Sequence, residues 1–235
     1  MAFRAETAIV ILTACALPAM GQEFRYQARH DHLRKGGAGA LIIGTTGVTF
    51  TEAARHRHPH EWRWSWQDIQ RLTVSPRRLT VLTYQDNRWR MGADRAYRFD
   101  LSEGESLVPA YEMLRGLLDQ RLVAVLPDAA APPLWRMPVK HLLPFGGSHG
   151  VLAAGPDAVV YKTQRKGEPR TWRYRDIESV SSSGPFELTL TTHEKTFRFQ
   201  LKEPLAEARY RDLWRRVNRA GGLAILNSYQ ENQQP

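Results

Sequence analysis

Apolar and polar residues alternate through most of the N-terminal half of this chain, which is the pattern of strands that bury one face. The alternation predicts seven strands, and Trp62, Trp64 and Trp66 mark the middle one. Side chains two residues apart on a strand point to the same side of the sheet, so these indoles should share one face. The other predicted strands run from Phe24 to about Arg34 and over residues 38–44, 47–52, 69–75, 78–84 and 95–101.

The spacing of apolar residues changes after the seventh strand. Four of them recur every three or four positions, on one stripe of a helix: Leu107, Tyr111, Leu114 and Leu118. We expect this helix to begin near Ser102 or Glu105, with Pro109 in its first turn, where proline is tolerated.

The same pattern then occurs a second time. Matching residues follow in the same order: Gly39/Gly150, Leu41/Leu152, Gly44/Gly155, Val48/Val159, Trp64/Trp172, Trp66/Tyr174, Asp68/Asp176, Ile69/Ile177, Leu79/Leu188, Thr80/Thr189, Tyr97/Phe197, Arg98/Arg198, Phe99/Phe199, Leu101/Leu201, Tyr111/Tyr210 and Leu114/Leu213. A repeat of this length indicates two tandem globular domains, because a solenoid would repeat every few tens of residues.

The duplication sets the domain boundaries. We predict a first domain over residues 22–126, a linker over 127–133, a second domain over 134–228 and a disordered tail over 229–235. Strands of the second copy should begin at Leu134. Its helix, from about Pro204 to Gly221 and Gly222, should bury the stripe Tyr210, Leu213, Trp214 and Val217. Prolines in the linker favour a limited range of domain orientations.

Seven short strands and one helix in about 100 residues is a layout that resembles the pleckstrin-homology (PH) superfold, including its GRAM-like branch. The aromatic strand that ends in Asp68 and Ile69, or in Asp176 and Ile177, is similar to PH-like bacterial modules. The chain also resembles a group of exported bacterial proteins with paired PH-like halves. The resemblance implies a mainly β fold of two PH-like sandwich or barrel domains, each with seven strands and a C-terminal helix.

Within this fold we expect each copy to form its own sheet around its own core. Trp64 and Trp172 are the predicted centres of the two cores, since a buried indole removes a large apolar area from water. Asp68 and Asp176 should accept hydrogen bonds from backbone amides at a turn, and a catalytic role for them is the alternative.

The N-terminus predicts export. Arg4, the apolar run from Ala8 to Leu17 and the small residues around Met20 are typical of a signal peptide over residues 1–21. Cys15 is the only cysteine and lies inside that segment. A lipobox ending at Cys15 is the alternative, in which case the protein would associate with the membrane through a lipid.

The histidines suggest a metal site as one hypothesis. His30 and His32 are two residues apart on a predicted strand, and His56, His58 and His60 occupy one loop. The other hypothesis is exposed loop histidines, with His32 and His141 hydrogen-bonded at the ends of equivalent strands. The sequence contains no HExxH motif, GxSxG elbow or phosphate-binding glycine loop, so we predict no enzyme activity, no cofactor and no metal.

Binding residues are predicted in two loops of the first copy. Arg34 and Lys35 follow the first strand, and Arg88, Trp89 and Arg90 lie in a connection that is longer than its counterpart in the second copy. An aromatic residue between cations is typical of a contact surface for anionic or sugar ligands. The alternative is that Trp89 packs against the protein itself. The strand after Lys35 is apolar, which departs from phosphoinositide-binding PH domains.

The formal net charge of +9 also favours anionic partners. We therefore predict a non-enzymatic exported interaction or scaffold protein of the bacterial envelope, periplasmic or secreted. The alternative is a binder of anionic envelope lipid or polysaccharide through the basic loops. An unknown protein or an anionic envelope component is the expected partner, and nucleic acid is not expected.

Overall fold

The computed structural model describes residues 22–31, 37–53, 60–87, 90–128 and 132–220. The described chain is mainly β. Its strands are β1 Phe24–His30, β2 Ala38–Ile43, β3 Gly47–Glu52, β4 Glu61–Ser65, β5 Ile69–Ser75, β6 Arg78–Asp86, β7 Asp94–Leu101, β8 Leu122–Ala124, β9 Trp135–Leu142, β10 Gly147–Ala154, β11 Ala158–Lys162, β12 Arg170–Arg173, β13 Ile177–Ser181, β14 Glu187–Thr192 and β15 Thr196–Leu201. The helices are α1 Val108–Leu117 and α2 Glu207–Asn218, with 3-10 turns at Trp66–Asp68 and Tyr174–Asp176.

The seven strands predicted before the first helix are all present, with three shifts at their ends. The first strand ends at His30 and not near Arg34, and Trp66 belongs to a 3-10 turn and not to β4. The helix begins at Val108, later than predicted, with Pro109 in its first turn. The predicted disordered tail, residues 229–235, and part of the predicted linker lie outside the described residues.

The 3-10 turns follow from an acidic residue at their third position. Asp68 accepts hydrogen bonds from the backbone nitrogen of Ser65, at 3.0 Å, and from its hydroxyl, at 2.7 Å. Asp176 accepts from the backbone nitrogen of Arg173 at 3.1 Å. These bonds confirm the predicted structural role of both aspartates, and the bonds from Ser65 hold the pKa of Asp68 below its usual value.

Two separate hydrophobic clusters form, one on each side of residue 130. We call residues 22–128 the first half and residues 132–220 the second half. Trp64 and Trp172 are each 4% exposed and lie in different clusters, which confirms the predicted core tryptophans. Each helix packs its buried stripe against the cluster of its own half.

The stripe predicted for α1 is buried throughout, but the one predicted for α2 is wrong at Trp214. That side chain is 48% exposed. Leu213 and Val217, four residues apart, already form the buried face, and the residue after Leu213 is turned about 100° away from it.

The repeated glycines Gly39 and Gly150 are explained by close packing. A Cβ atom at Gly39 would lie 2.2 Å from the carbonyl oxygen of Thr51, and one at Gly150 would lie 2.2 Å from that of Lys162. Each glycine lets an aromatic ring, Phe50 or Tyr161, cross the sheet above it.

The expectation of two separate sheets is wrong. All fifteen strands belong to one sheet in the order β13-β14-β15-β9-β10-β11-β12-β8-β5-β6-β7-β1-β2-β3-β4. The short strand β8, which the sequence reasoning missed, pairs in parallel with β5 and antiparallel with β12. Because β8 has two edges, it joins the sheets of the two halves while their cores stay separate.

Two arginines of the second half also bind the end of the first helix. Arg173 donates to the carbonyl oxygens of Leu118, at 2.8 Å, and Asp119, at 2.7 Å, and Arg175 donates to that of Leu118 at 2.8 Å. The last carbonyls of a helix have no partner within it and carry partial negative charge, so cations there are stabilising. Asp176 holds the Arg173 guanidinium through two bonds of 2.7 Å. We call this set of contacts the junction.

Candidate functional site

Three hairpin connections of the first half lie at the same end of its strands. The pairs β1–β2, β3–β4 and β6–β7 are antiparallel, and their strands are neighbours in the order β6-β7-β1-β2-β3-β4. The helix begins at the opposite end of the strands, where the backbone nitrogen of Leu107 donates to the carbonyl of Pro76 in the β5–β6 turn. We call the end of the strands that carries the three connections the loop end of the first half.

Both predicted binding loops connect strands at this loop end. Arg34 and Lys35 lie between β1 and β2, and Arg88 and Trp89 lie between β6 and β7; these four residues lie outside the described part of the chain. Arg90 is described and exposed. Its backbone nitrogen donates to the carbonyl of Asn87 at 3.2 Å, and its carbonyl accepts from the amide of Ala93. The next side chain, Met91, is fully exposed.

Aromatic rings form the floor beneath the loop end. The ring of His30 lies 4.9 Å from that of Trp62, 5.3 Å from Phe99, 5.9 Å from Tyr97 and 6.1 Å from Phe50, measured between centroids. Alternation along β1, β3, β4 and β7 brings these side chains to the inner face of the sheet. His30 is buried, whereas Trp62 is half-buried at the rim.

Two polar side chains lie over the rim of this floor. The exposed ring of His60 stacks on Trp62 with 5.5 Å between centroids, and the Arg95 guanidinium lies 4.7 Å from the centre of the Tyr97 ring. A cation over an aromatic face is attracted by the ring quadrupole. The rim therefore presents aromatic surface next to positive charge.

The equivalent end of the second half is closed by an ion pair. Arg170 pairs with Tyr161 on the neighbouring strand just as Trp62 pairs with Phe50, so it occupies the position of Trp62. It forms two bonds with Glu194, at 2.9 and 3.0 Å, and donates to the carbonyl oxygen of Gly167 at 2.7 Å. The guanidinium is thus fully occupied by groups of its own half.

A buried histidine completes this closure. His141 occupies the position of His30, since both pair with equivalent phenylalanines on the adjacent strand. Its Nδ1 lies 3.2 Å from Oε2 of Glu168, and neither atom has another hydrogen-bond partner among the described residues. Burial lowers the pKa of His141, with Lys195 and Arg170 adding to the effect and Glu168 opposing it.

The predicted equivalence of His32 and His141 is therefore wrong, because the first strand ends earlier and His30 takes that place. His32, His56 and His58 lie outside the described residues. Among the residues that the structure describes, no group of three potential ligands could hold a metal ion. In that same part of the chain, neither helix is long and apolar enough to cross a bilayer.

Sequence reasoning missed the junction, although the sequence contains a signal for it. Ser65 and Gln67 flank Trp66, whereas Arg173 and Arg175 flank the matching Tyr174. Two arginines at positions that are neutral in the other copy indicate a role that the shared fold does not require.

Comparisons with known proteins add likenesses of fold only. No protein family matches the chain, and no curated protein matches it. Among solved structures, the C-terminal domain of an unknown protein from Leishmania infantum is 14% identical with a TM-score of 0.32, over 38% of this chain and 86% of that one. The Spt16D Pob3N heterodimer is 11% identical with a TM-score of 0.31, over 74% of this chain and 84% of that one.

Proposed function

We propose that this protein is a non-enzymatic, exported interaction or scaffold protein of the bacterial envelope. It is built from two tandem PH-like domains, residues 22–126 and 134–228, joined by residues 127–133 after removal of a signal peptide. The repeated order of seven strands followed by a helix, with one hydrophobic cluster in each half, supports this architecture.

The observation that carries the scaffold proposal is the junction. Strand β8 extends both sheets, and Arg173 and Arg175 bind the end of α1. A charged pair with several hydrogen bonds in a buried site fixes geometry strongly, because moving it would leave charges and carbonyls unpaired. The two halves therefore present their outer surfaces at a constant distance and angle, as a scaffold requires.

Capture from an envelope extract tests the scaffold proposal. The immobilised protein should retain one specific protein partner at about 0.5 M salt, roughly three to four times physiological ionic strength, which screens exposed charges. The variant Arg173→Ala, which releases the junction, should lose that partner, whereas the exposed control Arg63→Ala should keep it. Equal retention by both variants would contradict a scaffold that depends on fixed halves.

A second candidate function is binding of anionic envelope lipid or polysaccharide at the loop end of the first half. Its residues are Arg34, Lys35, Arg88, Trp89 and Arg90. The specific observation in its favour is that the strands joined by the two basic connections both open at the loop end. The aromatic floor lies below this end of the strands. Among the described residues, no ion pair covers it as Arg170 and Glu194 cover the equivalent end of the second half.

Charge and exposure within the β6–β7 connection also support this candidate. Residues 86–95 contain three arginines and two aspartates, so the segment is cationic overall. The fully exposed Met91 next to Arg90 is an apolar tip of the kind that enters a lipid surface.

Co-sedimentation with lipid vesicles tests the second candidate. Binding to vesicles with an anionic headgroup should exceed binding to zwitterionic ones and should weaken as salt is raised. Because each basic residue near an anionic surface contributes about 1 kcal/mol, Arg88→Ala with Arg90→Ala should weaken binding about 30-fold. The control pair Arg209→Ala and Arg215→Ala, on the exposed face of α2, removes the same charge. An equal loss in both pairs would contradict a localised site.

A further inference from the structure

The sheet ends at β13, and this edge differs from its counterpart in the first half. Within the described residues, β13 pairs only with β14, whereas the equivalent strand β5 pairs with β6 on one side and β8 on the other. The equivalence is close: both strands follow a 3-10 turn, and both shift register just after Ile69 or Ile177. A free edge strand is a template for pairing with another extended segment.

Strand β8 shows what such an edge accepts. The backbone nitrogen of Leu72 donates to the carbonyl of Arg121 at 2.8 Å, and that of Val125 donates to the carbonyl of Val74 at 2.7 Å. Leu122 and Ala124 of β8 are buried and belong to the hydrophobic cluster of the first half. The occupant is thus a short apolar segment that adds a parallel strand.

The uncovered edge of β13 is visible in the exposure of its residues. Ser179 and Ser181 are exposed, whereas their counterparts Arg71 and Thr73 on β5 are partly buried. Val180, the counterpart of Leu72, is buried in the second cluster. The strand therefore has the inward face of β5 without the strand that covers β5. Among the described residues, its outer edge receives a 3.4 Å bond from the Tyr210 hydroxyl to the carbonyl of Val180.

The sequence repeats the occupant as well as the edge. Strand β8 begins with Leu122, five residues after the last residue of α1, and opens an apolar run that continues to Leu126. Five residues after the last residue of α2 stands Leu223, which begins Leu-Ala-Ile-Leu. Residues 223–226 lie outside the described part of the chain. An apolar segment follows each helix at the same distance, five residues long in the first half (122–126) and four in the second (223–226).

We propose that residues 223–226 dock on β13 of their own chain as a parallel strand, in the way that β8 docks on β5. Leu223 and Ile225 then face the hydrophobic cluster of the second half, as Leu122 and Ala124 face that of the first. The added strand covers the last edge of the sheet on this side and buries an apolar segment that would otherwise be exposed to water.

The occupant is a segment of the same chain and not a second copy. A second copy would have to present its β4 edge in the way that β12 is presented to β8, and β4 lacks the residues for this contact. At the junction, the far edge of β8 pairs with β12 and is held by Arg173 and Arg175. On β4 and in the 3-10 turn after it, the counterparts of β12 and its turn, the matching residues are Ser65 and Gln67, which lack guanidinium groups. Exposed Glu61 and Arg63 also charge the β4 edge, as is typical of edges that resist pairing.

Hydrogen–deuterium exchange of the unaltered full chain tests the proposal directly. Amides of residues 224–226 should exchange about 100-fold more slowly than those of residues 231–234 in the same molecule, because a hydrogen-bonded strand opens only by local unfolding. Exchange of both groups at the same rate would overturn the proposal. This measurement requires no substitution and so does not depend on a variant folding.

A disulfide experiment identifies the occupant. Thr73 and Val123 are paired across β5 and β8, and their counterparts are Ser181 and Ala224. In a Cys15→Ser background, Ser181→Cys with Ala224→Cys should form an intrachain disulfide, since neighbouring strands bring Cα atoms within about 4.4–6.8 Å. The control Ser181→Cys with Gln233→Cys should form far less. Disulfide-linked dimers, or equal yields in both variants, would overturn the proposal.

Discussion

Positions 65 and 173 are equivalent in the two halves but hold residues of different reach. Among the described residues, the Ser65 hydroxyl bonds with Asp68 in its own turn. Arg173 bonds with the matching Asp176 and extends to the carbonyls at the end of α1. A long guanidinium with five donors can serve both partners at once, which a hydroxyl cannot. The residue difference at this position of a duplicated turn thus adds contacts between the halves that Ser65 does not make.

His30 and His141 show a similar divergence at one position. The first lies among four aromatic rings beneath the loop end, and the second lies against Glu168 in a closed site. The histidine is shared, but its surroundings make one end of the second half self-contained and leave the first half with aromatic surface at its rim.

Burial of His141 predicts how stability depends on pH. Its pKa is lowered in the folded protein, whereas the unfolded chain has the usual value of about 6.5. The unfolded state therefore binds a proton first, so the free energy of unfolding should fall as the pH is lowered below about 6.5. Urea unfolding of the wild type between pH 7 and pH 5 should show this decline.

Two variants isolate the effect of His141 from other titrating groups. His141→Gln keeps a donor near Glu168 but does not titrate, so its stability should depend less on pH across this range. His193→Gln, at an exposed position, should keep the slope of the wild type. A wild-type protein that becomes more stable on acidification would show that Glu168 raises the pKa of His141 above that of the unfolded chain.

At the scale of elements, β8 is three residues long and depends on both halves. Thr171 of β12 fixes the chain after it: its buried hydroxyl donates to the carbonyl of Leu126 and accepts from the amide of Asp128, both at 2.8 Å. These bonds hold the start of the predicted linker against the second half.

Thr171→Val should therefore destabilise the protein by about 2 kcal/mol, because it leaves a buried carbonyl and amide without partners at nearly constant volume. The control Thr191→Val should change stability by less than about 0.5 kcal/mol, since the Thr191 hydroxyl is exposed and 3.5 Å from its nearest partner. Thermal and urea unfolding measure both. Equal effects would show that the hydroxyl of Thr171 does not hold the halves together.

The elements that the sequence predicted are those with a periodic pattern of their own. Alternating residues located the strands on either side of Trp64, and the spacing of Leu107 and Tyr111 located α1. Strand β8 is too short to show a period, and it is a strand only because β5 and β12 pair with it. Trp214 was misplaced because apolar spacing alone did not decide which of two adjacent residues faces the core.

The candidate site was predictable only in part. Basic residues marked the β1–β2 and β6–β7 connections. That these two connections lie side by side depends on the strand order, in which β7 pairs with β1. The closed end of the second half was not foreseen, because Arg170 and Glu194 are distant in sequence and follow no recognisable motif.

At the scale of the whole molecule, one sheet runs through two cores. The duplication explains the two clusters around Trp64 and Trp172. The junction explains why the copies are joined to each other and are not two independent domains on a linker. Among the described residues, differences between the copies that bear on function lie at the junction and at the loop ends. These are the places where a duplicated fold can acquire a role that neither copy has alone.

The distance between the halves in solution tests the central claim, which is that the junction makes them one rigid unit. Spin labels at Arg63→Cys and Arg209→Cys, in a Cys15→Ser background, lie on exposed positions of the first and second half. Pulsed electron resonance should give a single narrow distance distribution, which Arg173→Ala should broaden. A broad distribution in the protein with Arg173 intact would contradict the account.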